Sequence, residues 1–136
     1  MQFANTLKAL RIERNLTQED LAKKSGISLK TVSRYENGET LPRSRKFYDK
    51  LALALGVSYE DLVSPEMDFV LDLKDNFGPS GEKDAQEMVQ GVIGLMAGGS
   101  LPDKDKKAIL DAIQEAYYMA REEKSRESSS SNEDRP

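Results

Sequence analysis

The sequence predicts an all-α protein with a helical N-terminal domain and a small helical C-terminal region. Apolar residues recur at spacings of three and four, and Ser, Thr, Gly and Pro stand where helices would begin and end. Residues 1–64 hold eleven Lys or Arg and eight Asp or Glu, a net charge of +3, whereas residues 65–136 hold nine and sixteen, a net charge of −7. Opposite signs indicate a DNA-compatible N-terminal region and an acidic second region.

The first two predicted helices occupy the N-terminal quarter of the chain. The first has three large apolar residues on one face: Phe3, Leu7 and Leu10. Thr17 is a suitable N-cap for the second, and Asp20 three residues later completes a pattern that resembles a capping box. Gly26 ends this helix because glycine adopts positive φ without penalty. Lys24 is left on the outside for water or phosphate.

The third predicted helix is capped by Ser28 and runs to Asn37, where Gly38 ends it. At about 100° per residue, Val32 and Tyr35 fall on one side. The opposite side mixes two cations, a hydroxyl and an aliphatic group: Leu29, Lys30, Ser33 and Arg34. Two short helices, a tight turn and an exposed polar face on the second helix form the layout of a helix-turn-helix, whose second helix enters the DNA major groove.

The outer face of this third helix suits the edges of base pairs. Lys and Arg donate to guanine O6 and N7, and apolar groups contact the thymine methyl. We therefore expect Arg34 and Lys30 to read guanines, Leu29 to contact a thymine methyl, and Ser33 to contact a base or a phosphate. The alternative for these four residues alone is an amphipathic helix whose charges are only solvated.

Two more helices are predicted before Ser64-Pro65 ends the domain. One runs from about Ser44 to Leu55 with an apolar stripe at the i, i+3, i+4, i+7 positions, and Gly56 terminates it. Its stripe consists of Tyr48, Leu51, Ala52 and Leu55. Ser58 caps a last short helix through Leu62. These apolar positions are expected to form core.

The region from about Phe3 to Leu62 resembles the helix-turn-helix domain of lambda-type phage repressors and of the bacterial xenobiotic-response-element (Cro/C1-type) regulators. The residues that carry the resemblance are Leu7, Leu10, Arg11, Leu16-Thr17-Gln18, Leu21-Ala22, Gly26-Ile27-Ser28, Val32-Ser33, Tyr35-Glu36-Asn37-Gly38, Pro42, Leu51-Ala52, Leu55-Gly56-Val57 and Leu62. The resemblance implies a five-helix, lambda-repressor-like DNA-binding domain at residues 1–64.

The resemblance also assigns roles to individual residues. It implies that Gln18 touches the DNA backbone or an outer base, and it places the variable, base-reading positions at Leu29, Lys30, Ser33 and Arg34. It implies that the following loop anchors phosphates through Asn37, Thr40, Arg43 and Ser44. Arg11 and Glu36 match a structural ion pair between the first helix and the end of the third.

The C-terminal half is predicted in three parts. Residues 65–82 are expected to form a short amphipathic segment and a flexible linker, because Asn76 to Gly81 contains two glycines and a proline. Residues 83–124 are predicted to form two apolar helices on either side of Gly98-Gly99, the second starting near Pro102. Residues 125–136 are low in complexity and are predicted to be a disordered tail.

The two apolar helices are expected to bury their surface in a homodimer through residues 83–124, with packing on the N-terminal domain as the alternative. Repressors of this kind commonly read two half-sites as dimers. Residues 95–122 also resemble the tail of immunity-type repressors of Gram-positive mobile elements, which implies a partner metalloprotease that cuts near the double glycine. Absence of cleavage between residues 90 and 102 by such a protease would contradict that hypothesis.

The composition argues against several other functions. There is no Cys and no His, which removes disulfides, thiolate nucleophiles, the usual zinc ligands and the commonest general base. We therefore expect no enzymatic activity, no metal and no cofactor. Neither a membrane span nor a signal peptide is evident, so a cytoplasmic protein is expected.

The favoured function is a sequence-specific transcriptional regulator, most simply a dimeric repressor that binds a double-stranded DNA operator. Two alternatives stay open. The chain could be the antitoxin of a toxin–antitoxin pair, whose acidic half wraps a toxin. It could also be a protein-interaction adaptor that uses the helical fold without DNA.

Overall fold

The computed structural model of the protein describes residues 2–95 and 101–133. Over these ranges the chain forms seven α-helices, which confirms the predicted all-α class. They are α1 (Gln2–Glu13), α2 (Gln18–Ser25), α3 (Leu29–Glu36), α4 (Arg45–Leu55), α5 (Tyr59–Leu62), α6 (Pro65–Leu95) and α7 (Asp103–Glu133). None of the described helices is long and apolar enough to cross a membrane.

Helices α1 to α5 enclose the first of two hydrophobic cores. Its fully buried members come from four of these helices: Leu7, Leu21, Val32, Tyr48 and Leu51. Each such side chain contributes about 1.5–3 kcal/mol when it leaves water. The ring of Phe3 meets that of Tyr48 edge-on, with centroids 5.3 Å apart. This core holds α3 by its inner face alone and leaves the outer face free.

The first half of α6 is buried on two sides. Leu71 belongs to the first core, and Met67 packs against it. Phe69 and Leu73, two residues before and after Leu71, belong to a second core with residues of α7 such as Leu110. Residues two apart on a helix point in nearly opposite directions. Helix α6 therefore lies between the N-terminal domain and α7.

A kink at Gly78 stands where the flexible linker was predicted. Gly78 has φ +70° and ψ −154°, a conformation that favours glycine, and Pro79 follows it inside the helix. Gly81 is buried, and a Cβ there would press on the Leu73 carbonyl and lie 2.6 Å from the Phe77 Cβ. Residues 65–82, for which a short amphipathic segment and a flexible linker were predicted, thus form helix on both sides of a closely packed bend at Gly78.

Aromatic residues of α7 support the kink. The Phe77 ring lies edge-on to Tyr117 and Tyr118, with centroid distances of 5.3 and 4.9 Å. The Arg121 guanidinium lies 4.9 Å from the centroid of the same Phe77 ring. These contacts stabilise one bend angle by burying aromatic surface. The result is a C-terminal hairpin (α6 and α7) docked on the N-terminal domain.

Helix α7 is longer than predicted. It was expected to end at about Glu123 or Lys124, but it continues to Glu133, so residues 125–133 are helical where a disordered tail was predicted. Arg126 donates to Glu122 one turn earlier at 2.7 Å, a spacing that supports helix. Gly98-Gly99, Met96 and the protease site predicted near them lie outside the described residues.

Candidate nucleic-acid interface

The turn between α2 and α3 is built by local hydrogen bonds. The Thr17 hydroxyl accepts from the Asp20 N–H at 3.0 Å, and the Asp20 carboxylate accepts from the Thr17 N–H at 2.9 Å. These two bonds lower the pKa of Asp20. Gly26 ends α2 with φ +74°, and Ile27 is buried in the turn. The chain thereby reverses from α2 into α3 within a few residues.

Helix α3 separates into the two faces that its sequence predicts. Val32, Tyr35 and Glu36 are buried. The four predicted base-reading residues lie elsewhere on the helix: Leu29, Lys30 and Arg34 are exposed, and Ser33 is half-buried. Leu29 is 47% exposed, which is unusual for a leucine in a domain with a closed core. The helix thus presents donors and one apolar group to the outside.

Arg34 has an acidic neighbour that the sequence did not indicate as a partner. Its Nε lies 3.8 Å from Glu39 Oε2, and both side chains are about half exposed. An exposed ion pair of this length contributes little, at most about 1 kcal/mol. Arg34 is therefore held loosely enough to exchange the Glu39 carboxylate for another acceptor.

The Arg11–Glu36 pair ties α1 to the end of α3. Arg11 donates from Nε and Nη2 to the two carboxylate oxygens of Glu36, at 2.7 and 2.9 Å. The side chains are only 11% and 2% exposed. The bond to Glu36 raises the pKa of Arg11. Arg11 Nη1 also donates to the Leu16 carbonyl at 2.7 Å, which fixes the chain before α2.

Gln18 lies beside this pair. It is the first residue of α2, half-buried, and its Nε2 donates to Glu36 Oε1 at 3.4 Å. The side chain is thus oriented by the same carboxylate that orients Arg11. Glu36, a residue of α3, therefore holds the side chains of both Arg11 and Gln18.

The loop after α3 presents further polar groups. Asn37, Thr40 and Arg43 are exposed, as is Lys24 on α2. Ser44 occupies the N-cap of α4, yet its side chain makes no capping hydrogen bond. In contrast, the N-caps of α2 and α3 both use their hydroxyls. The Ser44 hydroxyl and the first N–H groups of α4 suit an anion such as a phosphate.

Helix α6 supports this loop through residues that sequence reasoning missed. Lys74 Nζ donates to the Arg43 carbonyl at 2.8 Å. Arg45, which begins α4, donates from Nη2 to Asp68 Oδ1 at 2.9 Å and lies 3.3 Å from Asp72 Oδ1. These partners are at least 23 residues apart in sequence, so no local pattern could have indicated them.

The chemistry of this surface is that of a polyanion-binding face. Cations on α2, α3 and the loop can bind phosphates, and the guanidinium on α3 can form paired hydrogen bonds with guanine. Within residues 2–95 and 101–133, no group of three or more carboxylates is arranged to hold a metal ion.

Comparison with known proteins gives matches over the N-terminal domain. The helix-turn-helix family model matches residues 7–62. An uncharacterized helix-turn-helix-type transcriptional regulator of Methanocaldococcus jannaschii is 47% identical over 64 residues, which is 47% of this chain and 96% of that protein. The transcriptional repressor RghR of Bacillus subtilis is 44% identical over 61 residues, 45% of each chain.

A third relative, an uncharacterized helix-turn-helix-type regulator of Sinorhizobium fredii, is 45% identical over 56 residues, 41% of this chain and 71% of that protein. No solved structure gives a significant match. The family model ends at residue 62, so α6 and α7 lie beyond it.

Proposed function

Because the chain belongs to the helix-turn-helix family of transcriptional regulators, we propose that it is a sequence-specific DNA-binding repressor that acts as a dimer in the cytoplasm. One observation carries the proposal. Helix α3 packs against the domain through the buried residues Val32, Tyr35 and Glu36, and its opposite side presents a cationic face that suits the edges of base pairs. In this proposal α3 enters the major groove and the bound protein occludes a promoter. A relative of similar sequence is named a transcriptional repressor.

Each exposed group has a proposed role. Arg34 and Lys30 read guanines, Leu29 contacts a thymine methyl, and Ser33 contacts a base or phosphate. Gln18 contacts the backbone or an outer base. Lys24 and the loop residues bind flanking phosphates and so position the domain without reading sequence. The loop residues are Asn37, Thr40, Arg43 and Ser44.

Selection of bound DNA from a random library by the full-length protein tests this function. We expect enrichment of a two-fold symmetric site whose half-sites are centred about 10–10.5 base pairs, or a multiple, apart. Failure to enrich any sequence would contradict specific DNA binding. Enrichment of a single isolated half-site would contradict the dimer but not the reading of bases by α3.

The dimer proposal is supported by an apolar face of α7 that no other part of the described chain covers. The face turned away from α6 carries Ala108, Ile109, Ala112, Ala116, Met119 and Ala120, all of which are exposed. Alanines at every fourth position allow two helices to approach closely. We propose that the same face of a second copy covers it. A single DNA-binding domain makes few base contacts, and each contributes about 1–3 kcal/mol of discrimination between bases.

Introducing charge on this face is expected to split the dimer. The double substitution Ile109→Glu and Met119→Glu should give a monomer in sedimentation equilibrium, because like charges would meet across a two-fold axis. Affinity for the symmetric site should fall while affinity for one half-site is retained. Leu53→Glu on α4 is the matched control, since Leu53 is 85% exposed. The proposal is wrong if Leu53→Glu produces the monomer and the α7 substitutions do not.

The metalloprotease implied by the tail resemblance remains a sequence-based prediction. Helix α6 ends at Leu95, within the segment 90–102 where cleavage is predicted. Cleavage there would separate α7 from the rest of the chain.

A further inference from the structure

A buried carboxylate, Asp72, connects three elements of the protein. Asp72 lies on α6, is 8% exposed, and is surrounded by polar groups of α4 and α7. From α7 it accepts a hydrogen bond from the Tyr118 hydroxyl at 2.7 Å and another from the Gln114 amide. Burial, together with the bond to Asp72, raises the pKa of Tyr118 to about 12.

The other side of Asp72 faces the N-terminal domain. Arg45 Nη2 lies 3.3 Å from Asp72 Oδ1 and 2.9 Å from Asp68 Oδ1. The Tyr59 hydroxyl donates to the same Asp68 oxygen at 2.8 Å. Burial and this bond raise the pKa of Tyr59. Arg45 therefore contacts two carboxylates of α6, Asp68 and Asp72, and Asp72 is in turn hydrogen-bonded to α7.

Arg45 follows directly on the loop that is proposed to bind phosphates. The loop's last residues are thus held at two points: Lys74 of α6 binds the Arg43 carbonyl at 2.8 Å, and Asp68 and Asp72 bind the Arg45 side chain. Both points depend on α6, and α7 reaches the second of them, Arg45, through Tyr118 and Asp72. Arg45 donates a charge-assisted hydrogen bond to the partly exposed Asp68 and lies within ion-pair distance of the buried Asp72. Charge-assisted hydrogen bonds are strong and directional, so these contacts favour one arrangement of the loop.

We propose that the C-terminal hairpin positions the loop 37–44 for phosphate binding, with Asp72 as the positioning residue that links α7 to Arg45. This inference rests on the proposed function, because it assigns to α6 and α7 the control of DNA affinity at the same surface. Any event that separates α7 from α6 releases Asp72, loosens Arg45 and lowers affinity without touching the base-reading face of α3.

The test uses the sign of an electrostatic effect. Asp72→Asn removes one negative charge, which by itself should strengthen binding to DNA. If Asp72 positions the loop, the same substitution should instead weaken operator binding, by about 3- to 10-fold. Asp75→Asn is the matched control, because Asp75 is exposed on the same helix and the charge change is identical. It should leave affinity unchanged or slightly raised.

A second variant distinguishes a positioning effect from a folding defect. Tyr118→Phe keeps the charge and most of the packing but removes the hydroxyl that α7 offers to Asp72. It should weaken binding in the same direction as Asp72→Asn. In both variants phosphate-ethylation interference should lose only the contacts of the loop, while base preference stays as in the parent protein.

Four outcomes decide the question. Weaker binding by Asp72→Asn and Tyr118→Phe, with unchanged base preference, supports positioning. Affinities equal to or above that of Asp75→Asn overturn it, as does a loss of base preference in step with affinity. Absence of specific binding by the unmodified protein would contradict the proposed function itself, and the two failures are thereby distinguished.

Discussion

Arg34→Ala is expected to weaken operator binding by about 1–3 kcal/mol per half-site and to relax the preference at one base position. The reason is geometric: Arg34 is exposed on the outer face of α3, and among the described residues the acid that pairs with it is Glu39, 3.8 Å away in an exposed pair. Paired hydrogen bonds to guanine would replace that weak contact in the complex. Quantitative binding to the selected operator and to its single-base variants measures both effects.

Lys24→Ala is the control for Arg34→Ala, because each removes one exposed positive charge. Lys24 lies on α2 away from the base-reading face. Its loss should weaken all sequences nearly uniformly and reduce the slope of log affinity against log salt by about 1. If Arg34→Ala behaves like Lys24→Ala, with no change in base preference, then Arg34 does not read a base.

Glu36→Ala is expected to lower the free energy of unfolding by about 3–5 kcal/mol. The substitution leaves the Arg11 guanidinium in a site where its side chain is 11% exposed, without the carboxylate that accepts two of its hydrogen bonds. Gln18 loses its acceptor as well. Since domains are typically stable by about 5–15 kcal/mol, this loss is large. Chemical denaturation of the purified protein measures it.

Glu19→Ala provides the comparison for Glu36→Ala. Glu19 pairs with Lys23 at 3.5 Å, but both side chains are mostly exposed. Its removal should cost less than about 1 kcal/mol. A loss of similar size in the two variants would show that burial of the Arg11–Glu36 pair does not govern its contribution.

The helices of the N-terminal domain could be predicted because their signals are local. The cap at Thr17, the positive φ at Gly26 and the cap at Ser28 each depend on residues within three positions of one another. The exposed side of α3 followed from helical periodicity in the same way. The contact between Arg11 and Glu36 did not, because it spans 25 residues and was implied only by the family resemblance.

The C-terminal half was harder to predict. The glycines and proline near Gly78 indicated a break in the helix but not its geometry. A packed bend exists there because Phe77 meets Tyr117 and Tyr118, about forty residues later. Glycine and proline lower the helix propensity at such a site, and this can be read from the sequence. The aromatic contacts that stabilise the bend depend on the tertiary arrangement.

The sequence by itself determined the class of the fold, the limits of α2 to α5 to within a residue or two, and the face of α3 that carries Leu29, Lys30, Ser33 and Arg34. Periodicity and capping act over one or two helical turns and can be read along the chain. The tertiary structure alone decided that α6 lies between the two cores and that Asp72 links Arg45 to α7. Such contacts join residues up to 46 positions apart, and they depend on how whole helices pack rather than on any local pattern.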